Sequence, residues 1–305
     1  MPAASDHEGL LDGLPVFWRS APVPDGGVPT LYLHGVPTNS DDWIAPRAYQ
    51  SIKPWWERWW RGKRAGDVRL ETPAYESGFL ERTGGIAPDL PGFGRSGKPG
   101  SLSYTIDEYD RFIERFLDHL EIERVNIVVH DWGAVGLAFA QRMPERVARL
   151  VIVNAVTFLP GYRWHRTARI WRTPGLGELM MGTTNHFTLK LFSPEANVTP
   201  GPMPEAWLRS VLDHFDQGTQ RAILRLYRSS PAEVLEAAGS RLGELRMPAL
   251  VAWGMKDPYI PARFGREYAE ALPNAELVEY ADAGHWAWLD RPDLIDRVAA
   301  FLSEG

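Results

Sequence analysis

Residues 125–136 read Val125-Asn126-Ile127-Val128-Val129-His130-Asp131-Trp132-Gly133-Ala134-Val135-Gly136, and their reading decides the rest of the chain. Val125 to Val129 is short, largely β-branched and apolar, as a buried strand is. Ala134, Val135 and Gly136 open a helix directly behind it. A sharp turn must join the two, and a strand–turn–helix of this kind exposes the side chain at its apex above the sheet. That apex residue is Asp131. Gly133 and Gly136 allow the backbone to approach itself closely. Val129 departs from the usual pattern, which has a glycine there. As plain structure, Asp131 would simply cap the helix, a favoured place for aspartate.

An aspartate at the apex restricts the chemistry. A serine that attacked a saturated carbon would form an ether and stop. A carboxylate forms an alkyl ester, whose carbonyl water can then attack. The residue therefore points to displacement at saturated carbon, either epoxide opening or carbon–halogen cleavage. An acid and a histidine follow in the order that such hydrolases require. Asp257 comes just after the strand-like run Leu250 to Trp253, and His285 after the run Ala275 to Tyr280. His285 would activate the water, and Asp257 would orient the imidazole and stabilise its charged form. Standing alone, His285 would read as an ordinary loop histidine. Two backbone N–H groups should form the oxyanion hole. Trp132 supplies one, and Val36 in His34-Gly35-Val36-Pro37 supplies the other, since Pro37 holds the preceding residue extended.

Working outward, Thr30 to Leu33, Ile86 to Leu90 and Leu150 to Val153 also read as buried strands, alternating with helix-like patterns. That alternation predicts an α/β fold with a mainly parallel sheet and helices on both faces. The clearest helix begins at Thr105, with Glu108 completing a capping box. The final helix carries Leu294, Val298, Phe301 and Leu302. The strand signal vanishes over 159–245, which reads as a helical cap inserted between core segments 1–158 and 246–305. A second insertion is expected at about 49–75. There Trp55, Trp56, Trp59 and Trp60 form a stripe beside Lys53, Arg58, Arg61, Lys63 and Arg64. Packing on the core explains most such stripes; a membrane-surface helix or a substrate entrance are the other readings.

The 305 residues contain no cysteine, so thiol nucleophiles, disulfides and cysteine-based zinc sites are excluded. A net charge of −6 gives no reason to expect nucleic acid as a partner. No apolar stretch is long enough to span a bilayer, and the first residues lack a secretory pattern, so a cytoplasmic protein is expected. Gly92-Phe93-Gly94-Arg95-Ser96-Gly97 matches a dinucleotide-binding glycine pattern, but Lys98-Pro99-Gly100 disfavours the helix that this pattern needs. The histidines are scattered, and neither metal nor cofactor is expected.

These segments resemble the epoxide hydrolase and haloalkane dehalogenase branch of the α/β-hydrolase superfamily. The resemblance is carried by His34 to Trp43, Ala87 to Pro99, Val128 to Ala140, Trp253 to Pro261 and Ala283 to Pro292. It implies the α/β-hydrolase fold and a small hydrophobic epoxide or haloalkane as substrate, with water. Dehalogenases of this kind hold the halide with two N–H donors. Trp132 fits one; the second is often an asparagine where this chain has Val36, so a tryptophan of the cap (Trp164, Trp171 or Trp207) would have to serve. Epoxide hydrolases instead use cap tyrosines. Tyr227, thirty residues before Asp257, fits one, and His186 or Tyr162 is the candidate for the other. On this count epoxide hydrolysis to a vicinal diol is the first expectation and haloalkane dehalogenation the second. A non-enzymatic ligand-binding protein on the same fold is the alternative of another class.

Overall fold

The computed structural model describes residues 3–44 and 77–304. The tryptophan stripe and the insertion expected at 49–75 lie outside them. Among the described residues, eight strands form one sheet in the order β1-β2-β4-β3-β5-β6-β7-β8. They are β1 (Ser5–Leu11), β2 (Leu14–Ala21), β3 (Thr30–Leu33), β4 (Gly85–Pro88), β5 (Val125–Asp131), β6 (Val147–Ala155), β7 (Ala249–Gly254) and β8 (Ala275–Tyr280). Strands β3 to β8 run parallel, and β1 and β2 are antiparallel additions at one edge.

The central strands β3 to β7 are buried on both faces, and their residues sort between the faces with the period of two that a pleated strand imposes. Leu31, Leu33, Ile127, Val129, Leu150, Ile152, Val251 and Trp253 point into one core cluster. That cluster includes residues of α2 (Ile106–His119), α3 (Val135–Arg142) and α10 (Arg263–Ala271). Tyr32, Val128, Val151, Val153, Leu250 and Ala252 point into the other, with α1 (Phe79–Thr83), α11 (Ala287–Asp290) and α12 (Asp293–Ser303). Helix α2 starts where the capping box predicts: the Glu108 N–H donates to Thr105 Oγ1 at 3.3 Å and the Thr105 N–H returns to the Glu108 carboxylate at 3.2 Å.

Between β6 and β7 the described chain forms six α-helices and no strand. These are α4 (Arg166–Arg172), α5 (Leu176–Thr183), α6 (His186–Phe192), α7 (Glu205–Asp213), α8 (Gln217–Ser229) and α9 (Ala232–Ala238). No described helix is long and apolar enough to cross a membrane. The glycine-rich loop after β4 wraps its own aspartate. Asp89 accepts the Arg95 N–H at 2.7 Å and the Ser40 N–H at 2.8 Å, and no helix follows until Ile106. Of the loop's N–H groups, that of Arg95 is thus committed to Asp89, and those of Gly92, Phe93, Ser96 and Gly97 donate to backbone carbonyls.

Candidate active site

In a parallel sheet all strands end at one edge, and the loops leaving that edge converge. Those after β3, β5, β6, β7 and β8 bring Val36, Asp131, Asn154, Asp257 and His285 together.

Asp131 is the last residue of β5, and a single 3-10 turn, Trp132–Ala134, leads into α3. Its backbone sits at φ 48° and ψ −121°, a region that residues with a Cβ rarely adopt. The close approach predicted from the glycines is present. A Cβ on Gly133 would meet the Leu33 carbonyl oxygen at 2.0 Å, and one on Gly136 would meet Leu33 Cδ1 at 2.5 Å. Val129 Cγ1 would stand 3.0 Å from a Cβ on Gly136. The bare helix position thus makes room for valine where the usual pattern has a first glycine.

The Asp131 carboxyl is buried, and its Oδ2 accepts the Val36 N–H at 2.8 Å. Its Oδ1 lies 3.7 Å from His285 Nε2. Burial raises the pKa of this group from its ordinary value. The His285 charge and the N–H groups of Val36 and Trp132 pull against that rise, while Asp257 adds to it. Both N–H groups expected to form an oxyanion hole therefore already bind this carboxylate.

His285 Nδ1 and Asp257 Oδ2 are 2.7 Å apart. Asp257 Oδ1 accepts the N–H groups of Tyr259 and Ile260 at 2.7 and 3.0 Å. Burial would lower the His285 value, but Asp257, Asp131 and Asp42 outweigh it, and the net shift is upward from 6.5. The imidazole is boxed by Trp286, His130 and Tyr259, with ring centroids at 4.6, 4.7 and 5.1 Å. His130 faces the His285 carbonyl at 3.0 Å.

The helical segment closes over Asp131 with aromatic rings. Trp164 stacks on Trp132 at 5.5 Å, and Tyr227 stands edge-on to Trp132 at 5.2 Å. The Tyr227 phenol is pushed well above its ordinary value, first by burial and then by the charge of Asp131. The buried Trp132 indole N–H lies beside the Tyr227 hydroxyl, yet makes no hydrogen bond of ordinary geometry with it or any other group. Tyr162 is buried against Trp164 at 5.1 Å, and its hydroxyl donates to the Tyr259 carbonyl at 3.4 Å. It too is pushed well up, by burial and then by Asp131 and Asp257.

His186 is the one candidate that the structure takes away from the site. It sits exposed at the start of α6, with Nε2 3.1 Å from Glu205 Oε1. Its spacing from Asp131 made it a candidate, but α6 turns that position to solvent. The three tryptophans weighed as second halide donors are also placed. Trp164 spends its N–H on the Ser230 carbonyl at 3.0 Å, Trp171 packs against Tyr227 at 4.9 Å, and Trp207 packs against Trp286 at 5.0 Å with its N–H buried and unpartnered, as that of Trp132 is.

A family model described as alpha/beta hydrolase fold matches residues 77–197 and 213–292. The chain belongs to that family. Within it, the chain falls in the haloalkane dehalogenase branch. A haloalkane dehalogenase of Mesorhizobium japonicum is 30% identical over 243 residues, 72% of this chain and 75% of the relative. A cis-3-alkyl-4-alkyloxetan-2-one decarboxylase of Shewanella oneidensis is also 30% identical, over 72% of this chain and 73% of its own length. A crystal structure of a haloalkane dehalogenase loop variant from Bradyrhizobium elkanii superposes with a TM-score of 0.74 at 25% identity, covering 99% of this chain and 97% of that one.

One residue of this alpha/beta hydrolase site escapes sequence reading. Asn154, near the end of β6, donates through Nδ2 to Asp257 Oδ2 at 2.8 Å, the same oxygen that faces His285. Its Oδ1 accepts the Gly254 N–H at 2.8 Å, and its backbone sits at φ 39°. The available signal was a fully buried polar side chain in the apolar run Leu150-Val151-Ile152-Val153-Asn154-Ala155. Such a group needs partners, and here it finds the triad acid. Among the described residues no cluster of three His, Asp or Glu groups is placed to hold a metal ion.

Proposed function

We propose that this protein displaces a leaving group from a saturated carbon through an alkyl ester on Asp131, with haloalkane dehalogenation as the reaction that its site fits best. The observation that carries this reading is the Trp132 indole N–H, buried next to the nucleophile and without a partner. A buried donor left unpaired costs about 1–3 kcal/mol, which an anion bound there would recover. A departing halide is such an anion, and it needs a hydrogen bond but no proton. Val36 offers no side-chain donor, so the Tyr227 hydroxyl beside Trp132 takes the second place.

In this scheme Asp131 Oδ1 attacks, since Oδ2 is held by Val36. His285 Nε2 then takes a proton from the water that attacks the ester carbon, and Asp257 steadies the imidazolium. The N–H groups of Val36 and Trp132 hold the oxyanion. Residues 159–245 act as the cap that supplies the aromatic wall and excludes bulk water. The haloalkane dehalogenases among the relatives support placing halide loss ahead of epoxide opening, which reverses the order expected from residue spacing.

Epoxide opening stays as the second reading because of Tyr227. An alkoxide leaving group needs a proton, and a phenol can give one where an indole cannot. Incubation with bromoalkane and epoxide panels separates the two. Halide release without diol, slowed by both Trp132→Phe and Tyr227→Phe as the two halide donors, is the expected result. Diol release, cut roughly 10²–10⁴-fold by Tyr227→Phe as for a lost general acid, would establish the second reading instead. A cis-dialkyl β-lactone belongs in the same panel because of the Shewanella relative, and carbon dioxide release alone would replace both readings. Binding of all three classes without turnover would point to a ligand-binding protein.

A further inference from the structure

Asp42 is a buried carboxyl that the reaction above does not use. Its Oδ2 accepts the Thr38 hydroxyl at 2.5 Å and the Trp286 indole N–H at 3.3 Å. The two donors belong to different loops. Thr38 follows the turn that holds the nucleophile, and its hydroxyl also lies 3.2 Å from the Gly35 carbonyl. Trp286 follows His285, and its ring stands at 88° to the imidazole. A single oxygen atom thus ties the loop that binds Asp131 to the loop that carries the base.

We propose that Asp42 is a positioning residue that couples these two loops, and that its proton sets whether the Trp286 loop is held. The inference rests on the reaction proposed above. The Thr38 hydroxyl has one proton to give. When Asp42 is ionised, that proton goes to Oδ2 in a short charge-assisted bond, and the Gly35 carbonyl keeps only the His34 Nδ1 donor at 2.8 Å. When Oδ2 is protonated, Asp42 donates to Thr38 Oγ1, and the hydroxyl turns to the Gly35 carbonyl. The Trp286 indole can only donate, so it keeps a strong acceptor in the first state and loses it in the second. Ionisation therefore pins Trp286 against His285 and adds a negative charge that favours the imidazolium.

The surroundings place this proton in the working range. Burial pushes Asp42 up to about 7; Thr38, Trp286 and His285 oppose the rise, and Asp41 adds to it. Asp41 is itself bound to Arg19 at 2.5 Å, Arg95 at 3.1 Å and Ser210 at 2.6 Å. The other imidazoles here are His130, 5.4 Å from Trp286, and His34; burial lowers both and keeps them neutral.

The test follows the Trp286 indole N–H resonance of the full chain from about pH 5 to 9, together with single-turnover ester hydrolysis of a bromobutane adduct. In the native protein both should step near pH 7. In Asp42→Asn, which keeps an acceptor but cannot ionise, the step in the Trp286 resonance should vanish, while the rise of hydrolysis through the His285 titration, read on its own ring, remains. Asp42→Leu should slow ester hydrolysis roughly tenfold and Asp42→Asn should recover most of it at neutral pH. Trp286→Phe keeps an aromatic ring, loses the N–H and should slow ester hydrolysis as Asp42→Leu does, a check that stands even where Asp42→Leu does not fold. A Trp286 resonance without a step in the native protein, or with the same step in Asp42→Asn, overturns the proposal. Equal kinetic losses at every pH in all variants would overturn it as well. A normal Trp286 step with no adduct from bromobutane or epoxide would refute the reaction and leave the coupling standing.

Discussion

Gly35→Ala should disable the nucleophile without altering a single reacting group. The added methyl would stand 2.4 Å from Asp131 Cβ, 2.5 Å from Oδ2 and 2.9 Å from Cγ. Carbon contacts settle near 3.5–4.0 Å, so something must move by about 1 Å. Asp131 has little freedom to do so, because its backbone is held at φ 48° and its Oδ2 by the Val36 N–H at 2.8 Å. If the carboxylate turns, that hydrogen bond breaks; if the loop retreats, the N–H leaves with it. A misplacement of about 1 Å costs on the order of 10²-fold in rate, which sets the expected loss in alkylation. Ester hydrolysis should fall further, by roughly another 10²-fold, because an oxyanion donor is lost. The clash itself should cost about 1–3 kcal/mol of stability, which a domain of this size tolerates. Rapid-quench intact-mass spectrometry reads the alkylation rate, and thermal unfolding confirms the fold. A folded Gly35→Ala protein that alkylates at the native rate would refute the idea that this contact aims the carboxylate.

Three further outcomes can be checked. His285→Gln should leave the first step open and block the second, so the protein should accumulate the mass of its alkyl ester; saturating substrate without an adduct would remove His285 from the base role. Asn154→Ala leaves Asp257 Oδ2 with only His285, and should slow ester hydrolysis roughly tenfold while alkylation changes little, read by burst kinetics. The third concerns pH. His285 must be neutral to act and its folded value is raised above 6.5, so ester hydrolysis should increase as pH climbs through that raised value. Asp42 works on stability in the opposite sense. Its folded value of about 7 lies above the ordinary 3.8, so the folded protein holds a proton that the unfolded chain has released. Stability should therefore decline as pH rises from about 4 to about 7, and Asp42→Asn should flatten that decline in denaturant titrations.

Much of this protein is legible in one dimension because its signals are local. The apolar runs of β3, β5, β6 and β7 are buried-strand patterns that neighbours along the chain suffice to define. The Thr105 and Glu108 capping box marks a helix start by the same logic. Asp131 was readable because a strand, two small residues and a helix constrain the turn from within a dozen positions. The hairpin of β1 and β2 was equally local and went unread. Asp12 and Gly13 sit at φ 52° and 82°, the conformation that an Asp-Gly pair adopts in a two-residue turn.

Only the tertiary structure decided which distant groups meet. Asn154 and Asp257 are 103 positions apart and 2.8 Å from each other. Asp42 and Trp286 are separated by 244 positions, yet share a hydrogen bond. Counted along the chain, His186 lies nearer the expected place than Tyr162; packing put His186 in solvent beside Glu205 and Tyr162 against Trp164. The physical reason is the range of the interactions. Strand and helix patterns reflect backbone geometry that repeats every two or 3.6 residues, so they survive in a linear reading. Burial, proton affinity and the pairing of a polar atom depend on what the folded chain brings within a few ångströms, and no spacing along the sequence encodes that distance.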